Sequence, residues 1–191
     1  MVSRMMGATL DGQAIVVGPR MALLFNGLGA AAVALATLLP LASTGHWFVI
    51  SADAVHHMLD LGPEVLPDIT MLQRAGAALI ALLTTLPLAW GLARLRLCLS
   101  YFSRGRPFAV EGIRGLRDFA LGAMLASLAQ FFSYPAMSLV LTATAAPGHK
   151  QLSLSISSDM LLLTMFAGVI AALAWAMETA AAIAEENSQF I

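Results

Sequence analysis

Charge is scarce in this sequence. Asp, Glu, Lys and Arg together make up 11% of 191 residues, against about 25% in an average soluble domain. So little charge leaves too few polar groups to cover a water-facing surface, which argues strongly against a cytosolic enzyme. Intrinsic disorder fails for the same reason, because it needs low hydrophobicity and high charge. Cysteine is nearly absent too: Cys98 stands alone, no internal disulfide can form, and the redox compartment leaves no mark. A basic excess is also lacking, with a net charge of −1, so nothing points to direct nucleic acid binding. What fills the chain is apolar: 59% hydrophobic residues and a mean hydropathy of +0.83. The composition is that of an integral membrane protein.

Four apolar stretches are long enough for a hydrocarbon core of about 30 Å, which takes roughly 20 helical residues. They run approximately over Met21–Ala42, Ala75–Arg94, Phe119–Thr142 and Met160–Ala184, with no Lys or Arg inside any of them. The first exceeds the short apolar region of a cleaved signal peptide and ends in a poor cleavage site, Pro40-Leu41-Ala42-Ser43. It reads as a retained span. The expected fold is all-α, a single four-span membrane domain over residues 1–191 forming a four-helix bundle. Similar local strings recur between the halves (Leu28-Gly29-Ala30 with Leu121-Gly122-Ala123, Leu88-Ala89-Trp90 with Leu173-Ala174-Trp175), a faint sign of a parallel repeat.

The basic residues set the expected orientation. Arg4 and Arg20 precede the first span, and Arg94, Arg96, Arg104, Arg106, Arg114 and Arg117 crowd the junction between the second and third. Only Arg74 and Lys150 fall on the other side. By the positive-inside rule both termini are expected in the cytoplasm. The longest outside loop, roughly Ser43 to Arg74, contains an amphipathic stretch from Phe48 to Leu61. Val55, Met58 and Leu59 fall on one side of it, and Asp53, His56, His57 and Asp60 on the other. A short helix lying on the outer membrane surface is expected there.

Five features could carry chemistry or packing. The loop cluster His46, Asp53, His56, His57 and Asp60 combines imidazole with carboxylate, a donor set suited to zinc; no recognised metal spacing accompanies it, and a solvated polar face is the favoured reading. Glu178 lies within the fourth span, where an ionisable group raises the question of function; an ion pair with Arg94, Arg96 or Arg117 is the structural alternative. Gln130, deeper in the third span, is expected to bond across to Thr84, Thr85 or Thr164 and fix packing. Gly168, Ala172, Ala176, Ala180 and Ala184 recur every fourth residue and are expected to form a smooth ridge that packs within the chain, with a subunit contact as the alternative.

The fifth feature is the junction between spans two and three. Gly105 and Pro107 break the helix leaving span two, and a new helix is expected to start at Val110 or Glu111, whose carboxylate favours the N-terminal dipole. Arg114 and Arg117 give this segment a basic face that would by default hold anionic lipid headgroups. Phe102-x-x-Gly105-x-Pro107-Phe108-x-x-Glu111, followed by Ile113-x-x-Leu116-Arg117, resembles the turn of a bacterial membrane family known as domain of unknown function 2975. The terminal Glu185-Glu186-Asn187-Ser188-Gln189-Phe190-Ile191 resembles that family's acidic tail. Ala109 and Gly112 depart from its usual Ser/Thr and Asn, and loss of a side-chain cap costs on the order of 1 kcal/mol. The resemblance implies a four-span protein of the bacterial cytoplasmic membrane with no established activity. It also suggests a small cytosolic helix-turn-helix regulator as a partner.

No nucleophile–base pair or phosphate-binding loop is evident, and neither catalysis nor a cofactor is expected. The leading expectation is a non-enzymatic regulatory or interaction protein, working through the basic turn and the acidic tail, in which Glu185 and Glu186 meet Arg104, Arg106, Arg114 or Arg117. The rivals are a small ion-coupled transporter using Glu178 and Gln130, and an outer-face metal or pH sensor built on the histidines.

Overall fold

The computed structural model describes residues 18–59, 69–143 and 157–188. All regular structure there is helical: α1 (Pro19–Val49), α2 (Ala52–Leu59), α3 (Met71–Ser103), α4 (Val110–Leu141) and α5 (Ser158–Ser188). Four of these are long and apolar enough to cross a bilayer, as in a multi-pass membrane protein. Each runs well past the apolar stretch that marks it in the sequence. α3 continues from Arg94 to Ser103, and α5 continues to Ser188, so Glu185, Glu186 and Asn187 form the last turn of a helix rather than a free tail.

Extensive packing among the described residues follows chain order, α1 on α3, α3 on α4 and α4 on α5. The middle pair is drawn together by glycines. A Cβ added at Gly122 would lie 2.5 Å from the Pro87 carbonyl oxygen and 2.9 Å from the Gly91 Cα, so the α3 and α4 backbones touch at that point. Gly115 closes in the same way on the Arg94 carbonyl oxygen. Both α3 and α4 are thus partly buried by protein, while α1 and α5 turn most of their leucines outward.

One layer of hydroxyls crosses the middle of the assembly. The Ser43 and Thr85 hydroxyls lie 3.4 Å apart between α1 and α3, and those of Ser127 and Thr164 lie 2.6 Å apart between α4 and α5. Thr85 and Ser127 stand equally far in sequence from Arg106 in the turn, so an antiparallel hairpin brings them to one level. The α4-facing seam of α5 is Thr164, Ala167, Ala171, Ala174 and Glu178, spaced alternately three and four. The expected ridge is therefore not the face that packs within the chain. Gly168, Ala172, Ala176 and Ala180 are exposed, nothing lies within 4 Å of a Cβ built on Gly168, and the Ala184 side chain is outside the described residues. Small residues permit close approach on either stripe; the polar contacts of Thr164 and Glu178 fix the rotation that selects one of them.

The end opposite the turn is clamped by the start of α3. Thr70 and Gln73 form a capping box, and the Gln73 side chain also donates to the Leu141 carbonyl oxygen at 2.6 Å, tying down the last turn of α4. Arg74 donates to the carbonyl oxygens of Trp47 (2.9 Å) and Ile50 (3.0 Å), satisfying the orphan acceptors at the end of α1. Below them Trp47, Ile50, Val55, Ala77, Ala78, Met137 and Leu141 form a buried cluster. The expected short helix is present as α2, and its Val55 is fully enclosed in that cluster. α2 is thereby anchored on protein as well as carrying a polar side.

Candidate functional site

The turn joining α3 to α4 is where the chain is most elaborately built for a connection of six residues. The Tyr101 carbonyl oxygen accepts from the backbone N–H groups of both Arg104 (3.2 Å) and Arg106 (3.0 Å), while that of Phe102 accepts from Gly105 (3.1 Å). Gly105 is buried with φ of 72°, a left-handed conformation that a side chain would strain. Pro107 then prevents resumption of the helix, and α4 starts at Val110 with Ala109 at its N-cap and no side-chain cap. Glu111, in the first turn of α4, supplies a carboxylate near the uncapped N–H groups.

Two residues of this segment point inward. The Phe102 ring meets Phe25 of α1 edge to face at 5.7 Å, and Ile113 is 2% exposed. Gly112, where the resembled family carries Asn, lets the Tyr101 side chain lie against α4: a Cβ there would sit 3.3 Å from Tyr101 Cβ. The Tyr101 ring in turn has the Arg104 guanidinium over it at 6.0 Å. Arg104, Phe108, Glu111, Arg114 and Arg117 are exposed, so the turn presents cations around one exposed aromatic ring.

Two ion pairs stitch the helices behind the turn. Arg94 Nε meets Asp118 Oδ2 at 2.7 Å between α3 and α4, and Arg117 Nη1 meets Glu178 Oε1 at 3.5 Å between α4 and α5. The first is tighter and better sheltered, with the Asp118 side chain 16% exposed against 40% for Glu178. Breaking the outer pair with Glu178→Gln is therefore expected to cost no more than about 0.5 kcal/mol. Asp118→Asn should cost more, about 1–2 kcal/mol, since it strips a sheltered site of its charge partner. Parallel denaturant titrations in detergent micelles check the order; a larger loss from Glu178→Gln would contradict it.

Asp118 was not singled out from the sequence, although a signal was there. Arg94 and Asp118 lie equally far on either side of Arg106, and an antiparallel helical hairpin pairs positions equidistant from its turn. Gln73 and Arg74 were missed for a different reason: their partners are backbone carbonyls, which carry no side-chain signature.

The remaining candidates are dispersed. Gln130 is half-buried, and its side chain makes no hydrogen bond among the described residues, contrary to the expected bond to Thr84, Thr85 or Thr164. Ser127, one turn earlier, reaches Thr164 instead, while Thr84 and Thr85 donate to their own helix carbonyls. His46 is exposed at the end of α1, beside Trp47, and Asp53 and His57 are exposed on α2. Asp60, His149 and the side chain of His56 lie outside the described residues, as do the side chains of Glu185 and Asn187; Glu186 is exposed. Among the described residues no three metal-ligating side chains gather. Every buried polar side-chain atom described has a hydrogen-bond partner.

Comparisons of the chain with models of protein families, with characterised proteins and with solved structures returned no match in any of the three.

Proposed function

We propose that the protein is a non-enzymatic regulatory or interaction protein of a bacterial cytoplasmic membrane, with both termini and the α3–α4 turn on the cytoplasmic side. The observation that carries this reading is the turn itself. A buried, left-handed Gly105 and paired backbone bonds to Tyr101 hold a rigid loop that displays Arg104, Phe108 and Arg114 outward. A loop that only connected two spans would need neither the order nor the exposed ring. Cations around an aromatic anchor suit an acidic protein surface, and Tyr, Phe and Arg are residue types enriched at protein contacts. Anionic headgroups meet the same cations when no partner is bound.

The resemblance of the turn and of the last turn of α5 to domain of unknown function 2975 supports the same assignment, with a small cytosolic helix-turn-helix regulator as the partner. The transporter alternative rests on Glu178 and Gln130. Glu178 is paired with Arg117 and open to its surroundings, and neither side chain contacts the other, which favours the interaction reading. Photo-crosslinking in native membranes tests it. A crosslinker at Phe108 should capture one defined small DNA-binding regulator, and the same group at Phe132, in the middle of α4, should capture none. Equal labelling at the two positions, or none at Phe108, would sink the proposal.

A further inference from the structure

The bond from Gln73 to the Leu141 carbonyl oxygen sets the register of α3 against α4. Both helices run from that bond toward the turn, so residues equally distant from its two partners are level. Ala77 is level with Met137, Thr84 with Gln130, and Gly91 with Ala123. Tyr101 lies against Gly112, within one residue of the same register at the far end. Successive members stand seven residues apart on each helix, so the three pairs share one face. Ala77, Met137, Gly91 and Ala123 are buried. The middle pair is polar and only half-buried.

That pair also falls where the apolar core divides. One cluster reaches Ala81 and Tyr134 from the clamped end, and another takes in Leu88, Phe119 and Ile170 nearer the turn. Thr84 donates to the Ile80 carbonyl oxygen at 2.8 Å, which leaves its oxygen free to accept. Among the described residues the Gln130 carboxamide has no hydrogen-bond partner, and neither of its polar atoms is enclosed. Tyr134, one turn along α4, is half-buried, and its hydroxyl has no such partner either. Gln130 stands eleven residues from the nearer end of α4, about 16 Å at 1.5 Å per residue. Hydrocarbon at that depth of a span supplies neither donor nor acceptor.

We infer that α3 and α4 hold one ordered water molecule between Thr84 and Gln130, with the Tyr134 hydroxyl as its third partner. The chemistry of the layer selects water. Thr84 accepts, while Gln130 and Tyr134 each donate or accept. No Asp, Glu, Lys or Arg occurs on α3 between Arg74 and Arg94, or on α4 after Asp118, so nothing there calls for an ion. Buried waters usually make about three hydrogen bonds, to polar groups that the protein otherwise leaves unpaired. The water joins α3 to α4, as direct hydroxyl contacts join α1 to α3 at Ser43 and Thr85, and α4 to α5 at Ser127 and Thr164. The site goes beyond the interaction reading above and does not depend on it.

Water-edited solid-state NMR of the full chain in lipid bilayers tests it, following proton polarisation from water to amide nitrogens. Gln130→Met, which removes one side-chain signal, assigns the Gln130 carboxamide. In the unsubstituted protein that signal should rise sooner than the backbone amides of Ala123 and Met137, its buried neighbours on the same face. Thr84→Val and Tyr134→Phe each keep the shape and remove one partner, and both should delay the rise. Thr37→Val, which removes an exposed hydroxyl on α1, should leave it unchanged. Unshifted signals elsewhere in each spectrum confirm the fold. A Gln130 rise as slow as those of Ala123 and Met137, or polarisation arriving first from acyl-chain protons, overturns the inference. So does a rise indifferent to both Thr84→Val and Tyr134→Phe.

Discussion

Gly122→Ala should be the most damaging single methyl that can be added to this protein. The new Cβ would sit 2.5 Å from the Pro87 carbonyl oxygen and 2.9 Å from Gly91 Cα, both backbone atoms with no rotamer to give way. Relief requires α3 and α4 to separate, which loosens the contact around Gly115 and with it the geometry of the Arg94–Asp118 pair. Overpacking usually costs about 1–3 kcal/mol, and an obstruction made wholly of backbone belongs at the upper end, about 3 kcal/mol. The control is Gly168→Ala on α5, where the added methyl meets open space. Replacing a helical glycine by alanine there should be neutral or stabilising by up to about 1 kcal/mol. Thermal or denaturant unfolding of the two variants in the same detergent should show opposite signs. A neutral Gly122→Ala would mean that the two middle helices do not meet as described.

The second large effect is expected at the opposite end, from Gln73→Met. Gln73 is 3% exposed, accepts from both the backbone N–H and the hydroxyl of Thr70 at 2.8 Å, and donates to the Leu141 carbonyl oxygen at 2.6 Å. Methionine fills the same space but satisfies neither the start of α3 nor the end of α4. Buried polar groups left unpaired cost about 1–3 kcal/mol each, so a loss of about 2–4 kcal/mol is expected once partial relaxation is allowed. The effect should also be local. Hydrogen exchange should rise at the start of α3 and the end of α4 while the α3–α4 turn keeps its protection. Uniform acceleration along the chain would show that this end is not a separate clamp.

Both predictions concern features that hydropathy alone does not display. The four apolar helices, the short amphipathic helix and the break at Gly105 and Pro107 were legible because each depends on a run of neighbouring residues. Apolar length, a helical period and a turn-forming pair act locally, so their signals survive in the linear sequence. The α5 ridge shows the boundary of that logic. Every fourth residue from Gly168 is small, yet the packed seam runs through Ala167, Ala171 and Ala174, because Thr164 finds Ser127 and Glu178 finds Arg117. A stripe of small residues says that a helix can pack closely, not that it does so on that side.

The candidate site divides in the same way. The cations and the aromatic residues of the turn were apparent from composition, and their expected break in the helix lies where the structure has it. Sequence did not distinguish Phe102, which points inward to Phe25, from Phe108, which points out. Gln130 was expected to be the polar tie between helices because it lies deep in the third span, but Ser127 faces α5 and Gln130 does not bond across.

The sequence by itself determined that the regular structure of the described residues is helical, with four helices among them able to cross a membrane. It also determined that the cations gather at one end, since partition between water and hydrocarbon acts on each residue where it stands. The tertiary structure alone decided how each helix is rotated, that Asp118 is the sheltered partner of Arg94, and that one glutamine holds the ends of two helices. Those outcomes depend on groups far apart in the chain meeting at hydrogen-bond distance, and a pattern read along one helix carries no record of what the next helix presents to it.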